Sequence, residues 1–223
     1  MSSVHALDAV LNILSLICNA LILAFMIKSI VGFYLRGGRG NMRVKGKGAF
    51  MYFTVQSNVL MALTAAMMLV FNIITAAQPA FEAPHWMMLV KHMGTVAVML
   101  TFSVVFFIFV PSSGVAPMIE GDSLFLHLIS PLIAALTLIV FDRGVKLSFI
   151  CVLTGLIPTA LYAALYYYMV MVKGPERGGW EDFYRFNAKG KWLLMAVVIF
   201  AMTALIGLVL CLGHNLIGAG LLA

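Results

Sequence analysis

Six runs of apolar residues separated by polar loops constrain this chain more than any other feature. They lie near Leu7–Tyr34, Phe50–Ala77, Met87–Val110, Leu124–Phe141, Val145–Val172 and Trp192–Leu212. About 20 residues of helix cross a hydrocarbon core of roughly 30 Å. Lipid offers the backbone no partner but itself, so each run is expected to be a transmembrane helix. The first run has no basic leading region and is too long for a secretory leader, so it too is expected to span. Of 223 residues, 63% are hydrophobic and 10% charged, and no soluble domain of that length could hide so much apolar surface. The expectation is an all-α membrane protein, residues 1–223 forming a single domain of six transmembrane helices in one bundle.

A formal charge of +6 would suggest nucleic acid in a soluble protein. Here the excess is concentrated in two loops, which excludes a nucleic-acid partner and points to anionic lipid. Loop one carries Arg36, Arg39, Arg43, Lys45 and Lys47, and loop five carries Lys173, Arg177, Arg185, Lys189 and Lys191. The opposite side has only Lys91, Arg143 and Lys146. The excess of positive charge on one side predicts that loops one, three and five are cytoplasmic and both termini outside. The glycines from Gly37 to Gly40 complete no phosphate-binding fingerprint. Cys18, Cys151 and Cys211 lie within apolar runs without a CxxC pair and are expected as packing residues. His5, His85, His92 and His214 are expected at solvated or interfacial positions, since no carboxylate or thiol completes a metal-ligand spacing. No metal and no organic cofactor is expected.

Polar residues inside the spans carry the functional signal. Asp8, Asn12, Ser15 and Asn19 draw a stripe along the first helix that should face the bundle, as helix–helix glue or as a cavity wall. The second span opens Tyr52-Phe53-Thr54-Val55-Gln56-Ser57-Asn58, where Thr54, Ser57 and Asn58 share one helical face. The fourth opens Phe125-Leu126-His127-Leu128-Ile129-Ser130-Pro131, with a histidine at nearly the same depth on the same side. Pro131 and Pro158 are expected to kink their helices and open space nearby. Tyr162, Tyr166, Tyr167 and Tyr168 read as an interfacial aromatic belt, and loop five as a cap over the bundle mouth.

If the second and fourth helices are neighbours, Thr54 and His127 can meet. A threonine hydroxyl is a poor nucleophile until a base removes its proton, and neutral imidazole is suited to that. The positive end of the fourth helix would favour the neutral ring. Free amides in the opening turn of the second helix, with Ser57 and Asn58 as polar support, could hold a developing oxyanion. Asp122, Glu181 and Asp182 lie on the correct side, but none is fixed as an orienting carboxylate, so the expected unit is a dyad. The plain alternative is that the threonine bonds its own helix and the histidine joins two helices.

These two stretches resemble the androgen-induced and androgen-dependent membrane protein family, including its bacterial six-helix relatives. Eukaryotic members are intramembrane threonine hydrolases of fatty acid esters of hydroxy fatty acids. The resemblance implies that Thr54, in Phe53-Thr54-Val55-Gln56-Ser57-Asn58, is the nucleophile. It further implies that His127, in His127-Leu-Ile-Ser-Pro131, is the base.

The expected function is therefore an intramembrane hydrolase cleaving a lipid ester, such as a fatty acid ester of a hydroxy fatty acid, in a bacterial inner membrane. Arg36, Arg43 and Lys191 are candidates for steering the substrate carboxylate. Two alternatives stand beside it: a small membrane carrier or lipid-binding protein without catalysis, and an acyltransferase using the same nucleophile. The partners expected are the ester substrate and membrane lipids, and the sequence carries no signal for an oligomeric state.

Overall fold

A computed structural model describes residues 2–37, 44–81, 83–142, 145–187 and 190–218, with side chains from residue 6 onward. Arg39, Arg43, Arg143 and Lys189, and the side chain of His5, lie outside the described residues. Six helices are long and apolar enough to cross a membrane. We label them α1 (Ser2–Leu35), α2 (Phe53–Ala77), α3 (His85–Ser113), α4 (Asp122–Phe141), α5 (Ile150–Lys173) and α6 (Trp192–Gly218). The bundle of six transmembrane helices expected from the sequence is the architecture observed.

Several helix ends run past expectation, as at Ser2 in α1, Ser113 in α3 and Gly218 in α6, whereas two helices start later than expected, each for a local reason. Gly46–Met51 forms a 3₁₀ turn, and Tyr52 is extended at ψ 135°, so α2 begins at Phe53 rather than Phe50. Residues 145–149 stay outside regular helix, and α5 begins at Ile150. Two prolines follow wider turns, the π-helical turn Val105–Phe109 preceding Pro111 and Phe125–Ile129 preceding Pro131, whereas Pro158 lies within regular α-helix. A π turn re-routes the bonds that proline disrupts, so both helices continue past it.

α3 lies at the centre, packed against α2, α4, α5 and α6, while α1 lies across α2 and α4. Gly94 permits a close approach of α2 to α3, since a Cβ there would fall 3.1 Å from the Thr64 hydroxyl oxygen and 3.5 Å from the Met61 backbone. Small residues at such crossings let helices pack without help from the hydrophobic effect, which lipid removes. The stripe on α1 faces inward as expected, with Ser15 and Asn19 buried and Asn12 exchanging hydrogen bonds with Asn72.

Loop five, over its described residues 174–187, folds back over the end of the bundle where α2 begins. Asp182 organises it by accepting bonds from the Tyr166 hydroxyl (2.8 Å) and from the amides of Phe186 (2.9 Å) and Asn187 (2.8 Å). Its chain crosses the end of α5 so closely that a Cβ on Gly179 would lie 2.2 Å from the Met169 carbonyl oxygen. Tyr166 and Tyr162 are buried beneath the loop rather than lying in an interfacial belt, whereas Tyr167 and Tyr168 are exposed.

Candidate functional site

Thr54 is the second residue of α2, and that position decides what its hydroxyl can do. Most buried threonines here bond a carbonyl one turn back in their own helix: Thr64 to Met61, Thr95 to Lys91, and Thr203 to Ile199. Thr54 has no helical turn behind it, so its hydroxyl faces a different partner. Tyr52, the N-cap, makes no side-chain cap bond. Instead the Tyr184 phenol oxygen, from loop five, accepts the Phe53 N–H at 3.0 Å. The same residue shares the wall of one cavity with Thr54 and Tyr162. Burial raises the Tyr184 phenol to about 12, against the lowering pull of the Phe53 amide.

These groups line one cavity of about 60 Å³ between α2, α3, α5 and α6, closed at its end by loop five. Its walls are apolar apart from the hydroxyls of Thr54, Thr101, Thr159, Tyr162 and Tyr184. The volume exceeds the 10–15 Å³ or so that one water needs and suits a narrow chain or a short file of waters. The Thr159 hydroxyl, on a residue 3% exposed, has no hydrogen-bond partner among the described residues. A groove of about 210 Å³ between α5 and α6 adjoins the cavity at Ala163, Phe186 and Ile199.

α2 and α4 are neighbours, as the sequence reading required. Asn58 makes the join, donating to the carbonyls of Thr54 at 2.8 Å and Leu126 at 3.0 Å. Both its N–H groups are thereby engaged as a bridge. Ser57 donates to the Thr54 carbonyl at 3.1 Å and lies 3.0 Å from the Thr101 hydroxyl. His127 is buried in the π turn of α4, its Nδ1 2.8 Å from the Met118 carbonyl. Because a carbonyl only accepts, Nδ1 carries the proton and Nε2 keeps the lone pair of a base. A backbone oxygen thus orients the ring where a carboxylate was sought.

Thr54 lines the cavity and His127 does not, and the hydrogen bonds among the described residues include none between them. Arg36 is exposed at the end of α1, where a Cβ on Gly32 would fall 3.1 Å from both its guanidinium and the Asp122 carboxylate. Lys191 is exposed just before α6. Neither lines the cavity, and Arg43 lies outside the described residues.

A second polar cluster escaped the sequence reading. Lys91, counted there as a flanking charge, is fully buried, 3.4 Å from Asp142 and donating to Asn19 at 2.5 Å. Ser15 donates to Asp142 at 2.5 Å. The α1 stripe, together with an acid and a base at one end of two spans, was the available signal. His92 and His214 are buried too, bonded to the carbonyls of Gly207 and Leu138, rather than solvated or interfacial. Comparison of the chain with protein-family models, curated proteins and solved structures finds no match.

Proposed function

We propose that the protein is an intramembrane hydrolase of a lipid ester, with Thr54 as nucleophile and His127 as general base. The observation that carries this reading is the Thr54 hydroxyl, untied to its own helix, opening at a helix N-terminus onto a narrow apolar cavity. An acyl chain fits such walls, and the helix N-terminus favours the negative charge that forms on attack. The Nε2 lone pair of His127 gives the base, and Asn58 holds its helix against α2. Thr54 attacks the acyl carbonyl, His127 takes the proton and returns it to the leaving alcohol, and water then releases the acid. A fatty acid ester of a hydroxy fatty acid is the proposed substrate. The proposed setting is a bacterial inner membrane with loops one, three and five cytoplasmic.

The test is cleavage of that ester by purified protein. Thr54→Ala is expected to lower turnover at least about 10³-fold, as loss of a nucleophile does, and His127→Ala by about 10² to 10⁴-fold. Undiminished turnover in either variant removes that residue's role.

A second reading is favoured by the separate bonding of Thr54 and His127: the cavity holds an acyl chain without chemistry. Labelling of Thr54 by a fluorophosphonate supports the hydrolase. Saturable fatty acid binding with neither labelling nor product supports the binding protein. Transfer of the acyl group to an added alcohol in preference to water identifies an acyltransferase.

A further inference from the structure

Loop five brings to the Thr54 hydroxyl a residue that no motif at the start of α2 or α4 announces. We infer that Tyr184 is a catalytic residue of the same site, donating its phenolic proton as a hydrogen bond to the ester carbonyl oxygen while Thr54 attacks. This rests on the hydrolase reading above.

The bonding around the phenol leaves its proton available for donation. The Phe53 N–H donates to the Tyr184 oxygen at 3.0 Å, while the Tyr162 hydroxyl donates to the Met51 carbonyl at 2.8 Å. The Tyr184 proton is left to an acceptor on the cavity side, where the Thr54 and Tyr162 oxygens both lie. An N–H donor behind a hydroxyl makes that hydroxyl a better donor in front, and this N–H belongs to the first helical residue, at the positive end of α2. The group is protonated at neutral pH, since burial raises it to about 12.

Position is as controlled as polarity. The Tyr184 amide donates to the Tyr166 hydroxyl at 3.1 Å, and that hydroxyl is held by Asp182. The ring packs against Phe109 and Phe186, with centroids 6.3 and 5.5 Å away. The next residue, Arg185, has a φ of +55°, the one positive value outside glycine among the described residues. Backbone held in a sparsely populated region needs surrounding contacts to maintain it. The Thr159 hydroxyl in the same cavity, without a partner among the described residues, is an independent sign that a group bearing a polar atom completes it.

In the step itself, the Thr54 oxygen bonds to the carbonyl carbon and its proton passes to His127. The carbonyl π pair moves onto oxygen, where Tyr184 donates to it. Collapse restores the carbonyl, breaks the ester C–O bond, and sends the proton from His127 to the departing alkoxide. Tyr184 keeps its proton throughout.

The experiment compares wild type with Tyr184→Phe on p-nitrophenyl palmitate in detergent micelles, with Thr54 labelling by a fluorophosphonate run alongside. The expected result is a fall in kcat of about 10²-fold, the usual effect of losing one oxyanion donor, with KM within about threefold. A kcat within threefold of wild type overturns the assignment and leaves the hydrolase reading intact. A raised KM with unchanged kcat assigns Tyr184 to closing the cavity and overturns it equally. Wild type that neither turns over nor labels fails earlier, at the hydrolase reading, and takes the inference with it. If Tyr184→Phe does not fold, 3,5-difluorotyrosine at position 184 preserves the shape. Its more acidic phenol should bring an alkaline limb in kcat to lower pH, and an unmoved limb overturns the role.

Discussion

Thr159 and Tyr184 show how much a single hydroxyl depends on what stands beside it. A buried hydroxyl without a partner costs about 1–3 kcal/mol, and Thr159 carries that cost on the cavity wall. Thr159→Val keeps the shape and removes the oxygen. It should raise the unliganded protein's stability by about 1 kcal/mol, seen as a higher melting temperature in detergent; a drop would mean that the hydroxyl has a partner in solution. Tyr184 sets a pH dependence. Its folded-state value is raised by burial from the ordinary 10 or so to about 12, so the neutral phenol's contribution is fully present below pH 10. That contribution is lost as pH rises through about 12. Between those values the wild-type melting temperature should fall more steeply with pH than that of Tyr184→Phe.

Elements are held together here by polar joins at both ends of the bundle, because apolar packing alone gives little preference over lipid. Near the start of α3, Lys91 and Asp142 link α3 to α4, and Ser15 and Asn19 bring in α1. Lys91 lies ten residues from Thr101, which is about 15 Å along the α3 axis, so this cluster is remote from the candidate site. Asp142→Leu leaves an ammonium buried without its counter-charge and should cost about 3–5 kcal/mol. Lys91→Met combined with Asp142→Leu removes both charges and should recover most of the loss. A double-mutant cycle on melting in detergent measures this, and a double variant no better than the single one would refute the pairing. At the other end, loop five joins α2 to α5 through Tyr184, Tyr166 and Asp182.

At the scale of the whole molecule, the proposed orientation rests on the charge of the loops. With loops one, three and five inside, a C-terminal alkaline phosphatase fusion in a bacterial host should be active and a C-terminal green fluorescent protein fusion dark; the reverse pattern would invert the topology. The number and approximate limits of the spans were legible in the sequence because apolar length is a local property and lipid forces such a segment into helix. The inward stripe on α1 was legible for a similar reason, since helical periodicity puts Asn12, Ser15 and Asn19 on one face and lipid rejects that face. The start of α2 was not, because the extended Tyr52 and the turn before it read as a continuation of the apolar run. Nor could the sequence distinguish the buried Tyr162 and Tyr166 from the exposed Tyr167 and Tyr168, since which face of α5 is covered depends on loop five folding over it. The partners of Thr54 lie beyond local pattern altogether: Tyr184 arrives from 130 residues away. By itself, then, the sequence determined a helical bundle in lipid, because solvent and periodicity act residue by residue. Tertiary structure alone decided which polar groups meet within it, because hydrogen bonds between distant segments depend on how the helices and the capping loop come together.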